Sequence, residues 1–284
     1  MTRITEQELL ELYDYKSGSG QIKLIFINAL QQPQALIRFI AHYTAWNALF
    51  GSGVASLAGK IGRCQGVFRS QQCKIDAIAD RSVHVASFFF DAARDEFDDR
   101  ATIHRDTHRC LAQSCLQGMI DYYTQSQQIT LSDTQLNDWL APPLWLTALI
   151  ERVAIGYGVG SGDHPAALFR SMGYHLGSEL LADREFSIID QGLETRQVEL
   201  QAFLKQHTVE IAGEHHSAYH WLEIHSGHGG GVEAEHFAWA VKGVNRGFSY
   251  VPVAIHESLR HQLHLGFMDF VTDHREFFTS VARY

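Results

Sequence analysis

In the stretch from Tyr219 to His236, the imidazoles of His220, His225, His228 and His236 crowd together with Glu223, Glu233 and Glu235 around the run Gly229-Gly-Gly231. Imidazole and carboxylate together suit iron, manganese or zinc. Glu233 and His236 stand three residues apart, so a helix presents both on one face toward a common ion. That pattern makes an oxygen-using metalloenzyme the first chemistry to test. The positive end of a helix dipole also favours carboxylates such as Glu233 and Glu235, but this leaves the histidines unexplained.

Two further regions set acid and imidazole against apolar sequence. Phe88-Phe-Phe-Asp-Ala-Ala-Arg-Asp-Glu-Phe-Asp-Asp99 places Glu96 at the end of a strongly hydrophobic helix, with His104 and His108 beyond it. Read alone, that is a helix end turning into solvent. Met172-Gly-Tyr-His-Leu-Gly-Ser-Glu179 puts His175 and Glu179 on one face amid Leu176, Leu180 and Leu181, while Gly173 and Gly177 form a strip where another helix can pack closely. The chain has no HExxH and so lacks the zinc-protease signature. It has one Glu-x-x-His at these positions, Glu233 to His236, where a ferritin-like di-iron bundle needs two. A metal site built from these residues is therefore asymmetric.

The elements that must position them read as helices, because almost every periodic segment has helical spacing and strict polar/apolar alternation is scarce. The expected fold is all-α. Thr5 to Glu8 fits a capping box opening a short helix that ends before Ser17-Gly-Ser-Gly20. A helix after Pro33 carries Leu36, Phe39, Ile40, Tyr43 and Trp46 and is expected to break near Gly51-Ser-Gly53. Others are expected over about 71–95 and 103–125, then from Ser132, whose spacing to Gln135 is a second capping box, to the interruption at Pro142-Pro143. Gly156 to Gly162 reads as a loop. Helices follow at about 164–184, 191–207, 214–226, 231–246 and 255–282, roughly eight major helices in a bundle.

Bulk properties narrow the function classes. A chain of 284 residues with 45% hydrophobic and 19% charged residues is globular rather than disordered, and a single domain over 1–284 is expected. Its net charge of −9 argues against a nucleic-acid or anionic-membrane partner, which would call for a basic face. No signal peptide or membrane-span pattern is present, so a cytoplasmic protein is expected. Cys64, Cys73, Cys110 and Cys115 form no CxxC pair and read as reduced, small apolar residues. Histidine is the outlier at 17 copies, so spacing has to select the functional ones.

The order Glu96, His108, Glu179, His225, Glu233, His236 resembles the ligand series of the haem-oxygenase-like di-iron oxidases and oxygenases (HDO). Three pieces carry the resemblance: Asp95-Glu-Phe followed by His108-Arg-Cys-Leu, Gly173 to Glu179, and His225 followed by Val232-Glu-Ala-Glu-His-Phe237. The family's last motif is typically His-x3-Asp/Glu-x2-His. Here Ser226 to Gly231 lengthens the first interval, so His228 rivals His225, and His104 likewise rivals His108.

The resemblance implies a haem-oxygenase-like multi-helix bundle with its metal site between core helices. Three histidines and three carboxylates would hold two iron ions, with O2 as co-substrate and a peroxo di-ferric oxidant. It also implies a small-molecule carboxylate substrate, an amino acid or its derivative, undergoing N-oxygenation, desaturation or carbon–carbon cleavage. A homodimer is compatible with the sequence. Arg94, Arg170 and Arg184 lie nearest the ligands in sequence but fit surface pairs better than substrate contacts. The alternative is a haem-oxygenase-like helical protein without a di-iron centre: a binding module, or a thiaminase-type or cofactor-free enzyme. For those readings Cys110 and Cys115 are the candidate thiols and His42 the candidate haem ligand.

Overall fold

The computed structural model describes residues 3–99, 106–226 and 232–283. In chain order the helices are α1 (Glu6–Leu12), α2 (Tyr15–Ala29), α3 (Pro33–Asn47), α4 (Phe50–Arg63), the single turn α5 (Asp76–Ala79), α6 (Ser82–Phe97) and α7 (His108–Gln125). They continue with α8 (Asp133–Leu140), α9 (Leu144–Gly156), α10 (Pro165–Arg196) and α11 (Val198–Gln206). A hairpin of β1 (Thr208–Ile211) and β2 (Glu214–Ser217) precedes α12 (His220–His225), α13 (Val232–Ser249) and α14 (His256–Val281). No described helix is long and apolar enough to cross a membrane.

The 32-residue α10 is the organising element. One side packs along α14, and α13 and α2 lie against it elsewhere. The small-residue strip works as the sequence suggests: a Cβ on Gly173 would fall 1.9 Å from the Leu263 carbonyl oxygen, and one on Gly266 would fall 1.8 Å from that of Arg170. Only glycine permits α10 and α14 to approach so closely. On the other side α6 packs on α4 and α13, α3 packs on α7 and α9, and short α12 sits against α7 and α10. Buried Tyr43, Trp46, Phe89, Phe186, Phe270 and Phe277 belong to one continuous apolar core.

Local signals set several boundaries. Thr5 caps α1 through the Glu8 amide, but the Glu8 side chain pairs with Arg260 and His264 instead of closing the box. Ser132 and Gln135 form the full reciprocal capping box of α8. The turn after α9 is fastened by buried Lys60, whose ammonium donates to the Gly158 and Ser161 carbonyls at 2.9 and 2.7 Å.

The expected breaks ahead of both glycine groups are there, α1 ending at Leu12 and α3 at Asn47, but the glycines themselves are helical, since α2 and α4 run through them. Burial of Val54, Leu57, Ala58 and Ile61 outweighs a glycine penalty of about 1 kcal/mol each. The expected helices at 164–184 and 191–207 join differently, since the apolar face continues through Phe186, Ile189 and Leu193 and the break falls at Gln197. Residues 214–217 are a strand rather than helix. Val209 pairs with His216 across a two-residue turn in which Ala212 and Gly213 take φ of 55° and 88°, the left-handed pair a tight hairpin requires.

Candidate metal centre

The end of α6, the start of α7, the middle of α10, the end of α12 and the start of α13 meet around one buried region. Glu96, His108 and His225 each offer a ligand atom, and these atoms lie within 4.8 Å of one another. His108 Nδ1 stands 3.2 Å from Glu96 Oε1, and the His108 and His225 rings meet at 4.6 Å between centroids. Atoms bound to one ion at about 2.1 Å stand roughly 3 to 4 Å apart, so small shifts would bring the three onto a common ion.

The outer nitrogens of both rings are committed. His108 Nε2 lies 3.3 Å from buried Asp99 Oδ2, and His225 Nδ1 lies 2.7 Å from the Trp221 carbonyl oxygen four residues earlier. With the proton of each ring on its outer nitrogen, the inner nitrogen would offer its lone pair to an ion beside Glu96, the arrangement seen behind metal-binding histidines. His220 reaches the other Asp99 oxygen at 3.7 Å, and the Asp99 contact raises its pKa. The end of α12 is pinned by Asp190, which accepts from Ser226 at 3.0 Å, from Gln201 at 3.2 Å and from the Tyr219 hydroxyl.

Beside this triad, Glu179 faces two imidazoles: His175 Nδ1 at 3.2 Å from Oε1 and His236 Nδ1 at 3.6 Å from Oε2. His236 repeats the pattern, with Nε2 3.3 Å from buried Asp95 Oδ2. His175 differs. It is fully buried between Phe89 and Tyr157, and among the described residues neither of its ring nitrogens makes a hydrogen bond, Nδ1 standing 3.2 Å from Glu179 Oε1 outside hydrogen-bond geometry. With no outer acceptor to set its tautomer, it stands apart from the other three imidazoles. Burial lowers its pKa and keeps it neutral.

The two groups sense each other. Burial works to raise the Glu96 pKa, but His108 and then His225 hold it below the ordinary carboxylate value, against a smaller opposing effect of Glu179. Burial and the neighbouring His108 press His225 down to about 3, so its lone pair is available throughout the neutral range. Space is made by Gly51 of α4, where a Cβ would come 2.8 Å from Glu96 Cβ.

Glu96, His108, Glu179 and His225 line a cavity of about 230 Å³ walled by Phe50, Ala112, Ala182, Phe186 and Trp221. Its rim carries exposed Ser52, Phe97 and Arg109. Glu179 also lines a second cavity, of about 460 Å³, with Leu180, Arg184, Phe237 and Val241.

No protein-family model matches the sequence, and no curated protein matches it. Among solved structures the chain is similar to a TenA homolog from Pseudomonas syringae pv. tomato str. DC3000, with a TM-score of 0.52 over 98% of this chain and 92% of that one. The fold is haem-oxygenase-like. At 10% identity the likeness carries the fold alone.

On this haem-oxygenase-like frame, five of the six expected ligands, Glu96, His108, Glu179, His225 and His236, come together. The sixth, Glu233, lies on α13 with its side chain outside the described residues, and so do the rivals His104 and His228. His215 is exposed, while His216 is buried against Asp106 at 2.5 Å. Arg94 and Arg170 form surface pairs with Asp91 and Asp269, as expected. The sequence reading missed Asp95, Asp99 and Asp190. Asp95 and Asp99 sit in what read as a solvated helix end but are buried at 3% and 4% exposure, and their only signal was proximity to Glu96.

Proposed function

We propose that this protein is an O2-dependent non-haem di-iron oxidase or oxygenase acting on a small carboxylate substrate. The observation that carries the reading is the orientation of His108, His225 and His236, each with one nitrogen against an outer acceptor and the other against Glu96 or Glu179. A donor set of imidazoles and carboxylates suits iron. Glu96, His108 and His225 would hold one ion, and Glu179 and His236, with Glu233 from the same helix, the other. Bound iron would supply dioxygen activation and the oxidation itself.

The chain's own residues do the rest. Asp99, Asp95 and the Trp221 carbonyl keep the ligand lone pairs aimed inward. His175 packs its ring beside Glu179, Nδ1 3.2 Å from Oε1. Phe50, Phe186 and Trp221 exclude water from the chamber in which a substrate would sit.

The cysteine-nucleophile alternative draws no support from the geometry. None of the four cysteines is among the residues lining the cavity, and burial pushes Cys115 up to about 12, far from a reactive thiolate. His42 does not line it either and packs edge-on against Trp145.

Anaerobic titration with ferrous iron, followed by metal analysis and by optical spectra on admitting oxygen, tests the proposal. About two irons per chain and an oxygen-dependent spectral change are expected. Glu179→Ala and His236→Ala should each remove one iron. Uptake of fewer than about two irons, indifferent to both substitutions, overturns it.

A further inference from the structure

We infer that Arg109 is the residue that recognises the substrate's anionic group, and that the chamber takes a monocarboxylate whose body is apolar and uncharged. The inference rests on the cavity at the candidate centre being the substrate chamber, as proposed above.

Arg109 follows His108 on α7 and lines the same cavity, but where His108 is buried the guanidinium stands at the exposed rim. Among the described residues its side chain makes one hydrogen bond, Nη1 donating to the Thr44 carbonyl oxygen at 3.0 Å. No described carboxylate lies against it. The other arginines near the ligands in sequence are placed differently: Arg94 and Arg170 already pair with Asp91 and Asp269, and Arg184 faces the second cavity. A planar fork with one donor tied to backbone keeps other N–H groups for a bidentate carboxylate contact. The Thr44 contact limits the rotamers that binding would have to freeze. Arg109 also sits in the first turn of α7, where the helix dipole favours an anion.

The rest of the lining sets the body of the ligand. Phe50, Phe97, Phe186 and Trp221 give an aromatic wall, and Phe97 is half-exposed at the rim, an apolar edge at the entrance. Acidic groups on the cavity are limited, among its described lining, to Glu96 and Glu179, both engaged with imidazoles. An ammonium group would find no carboxylate to itself, so a zwitterionic amino acid fits less well than a plain carboxylic acid.

The test uses calorimetric titration of the metal-free full-length protein with octanoate, octanamide and 2-aminooctanoate. Wild type is expected to bind octanoate at least about 10-fold more tightly than either of the others. Arg109→Gln should weaken octanoate by roughly 10- to 100-fold and leave octanamide unchanged, and Arg109→Lys should recover part of the loss. The assignment is overturned if octanoate does not bind wild type, if Arg109→Gln binds it as well as wild type does, or if 2-aminooctanoate matches octanoate. Ferrous-iron titration of the same samples separates the two readings. Normal iron uptake without carboxylate discrimination overturns the Arg109 assignment alone, and discrimination without iron uptake overturns the di-iron reading alone.

Discussion

Glu179 and Glu185 sit six residues apart on α10, both buried and both facing histidine, yet they lead different chemical lives. Glu185 is closed: Tyr43 donates its hydroxyl to one oxygen at 2.8 Å, and His274 Nε2 meets the other at 2.6 Å. Rings of Phe39, Phe186, Phe270 and Phe278 pack around these partners. Glu179 meets its imidazoles at 3.2 and 3.6 Å and borders two cavities. Each is a buried carboxylate facing a buried histidine, so composition does not separate a closed structural pair from a candidate ligand set. What separates them is whether the inner nitrogens converge on shared space while the outer ones are held from behind.

The sharpest test of that contrast exchanges the two roles. Glu179→Ala should weaken iron at its position by more than about 100-fold, beyond the 10- to 100-fold typical of losing a mere outer partner, with little change in the melting temperature of metal-free protein. Glu185→Ala should do the reverse. It strands the buried Tyr43 hydroxyl and the His274 N–H at about 1–3 kcal/mol each. At roughly 2–4 °C per kcal/mol in a chain of this size, the melting temperature should fall by about 10 °C with iron stoichiometry unaltered. Equal thermal losses in both variants would erase the distinction.

An intermediate effect is expected at Asp99. It lines no part of the cavity itself but faces His108 Nε2 as a hydrogen-bond acceptor. Asp99→Asn should lower iron affinity by about 10- to 100-fold, because an amide can present its NH2 and favour the wrong tautomer. Iron titration measured alongside Asp98→Asn is the check. Asp98 is exposed one residue away, and its variant should bind as wild type does.

These outer residues also show how far the sequence could be read. The helical class followed from periodicity, and Glu179 and His236, which the structure brings close together, were picked out because Glu233-Ala-Glu-His236 and Gly173 to Glu179 carry recognisable spacing. The close α10–α14 crossing was legible from Gly173 and Gly177. Asp99 was not, because its burial depends on α7 and α12 folding over it, which no local pattern encodes. Gly51 marked the break after α3 only to within a few residues, because a glycine kept for close approach to Glu96 lies inside α4 rather than at its edge. Arg109 escaped notice because what singles it out, a place on the cavity with no carboxylate against it among the described residues, is a property of the packed chain.

His42 offers the smallest and most independent probe, a buried histidine away from the candidate centre's cavity. Burial, and secondarily the charge of Arg38, lowers its pKa from 6.5 to about 4. The unfolded chain therefore takes up a proton near pH 6.5, while the folded chain resists until about pH 4, so the unfolded state binds more protons within that window. Stability should fall as pH drops through it, by at most about 3 kcal/mol from this residue. His42→Gln, neutral at every pH, should flatten the acid limb of stability by roughly 2–3 kcal/mol relative to wild type. Denaturant unfolding at pH 6.5 and 4.5 measures it. His175 and His225, also lowered by burial, keep their own contributions of the same sign in both proteins. Parallel curves would mean that His42 is protonated in the fold, and that burial does not suffice to hold this imidazole neutral.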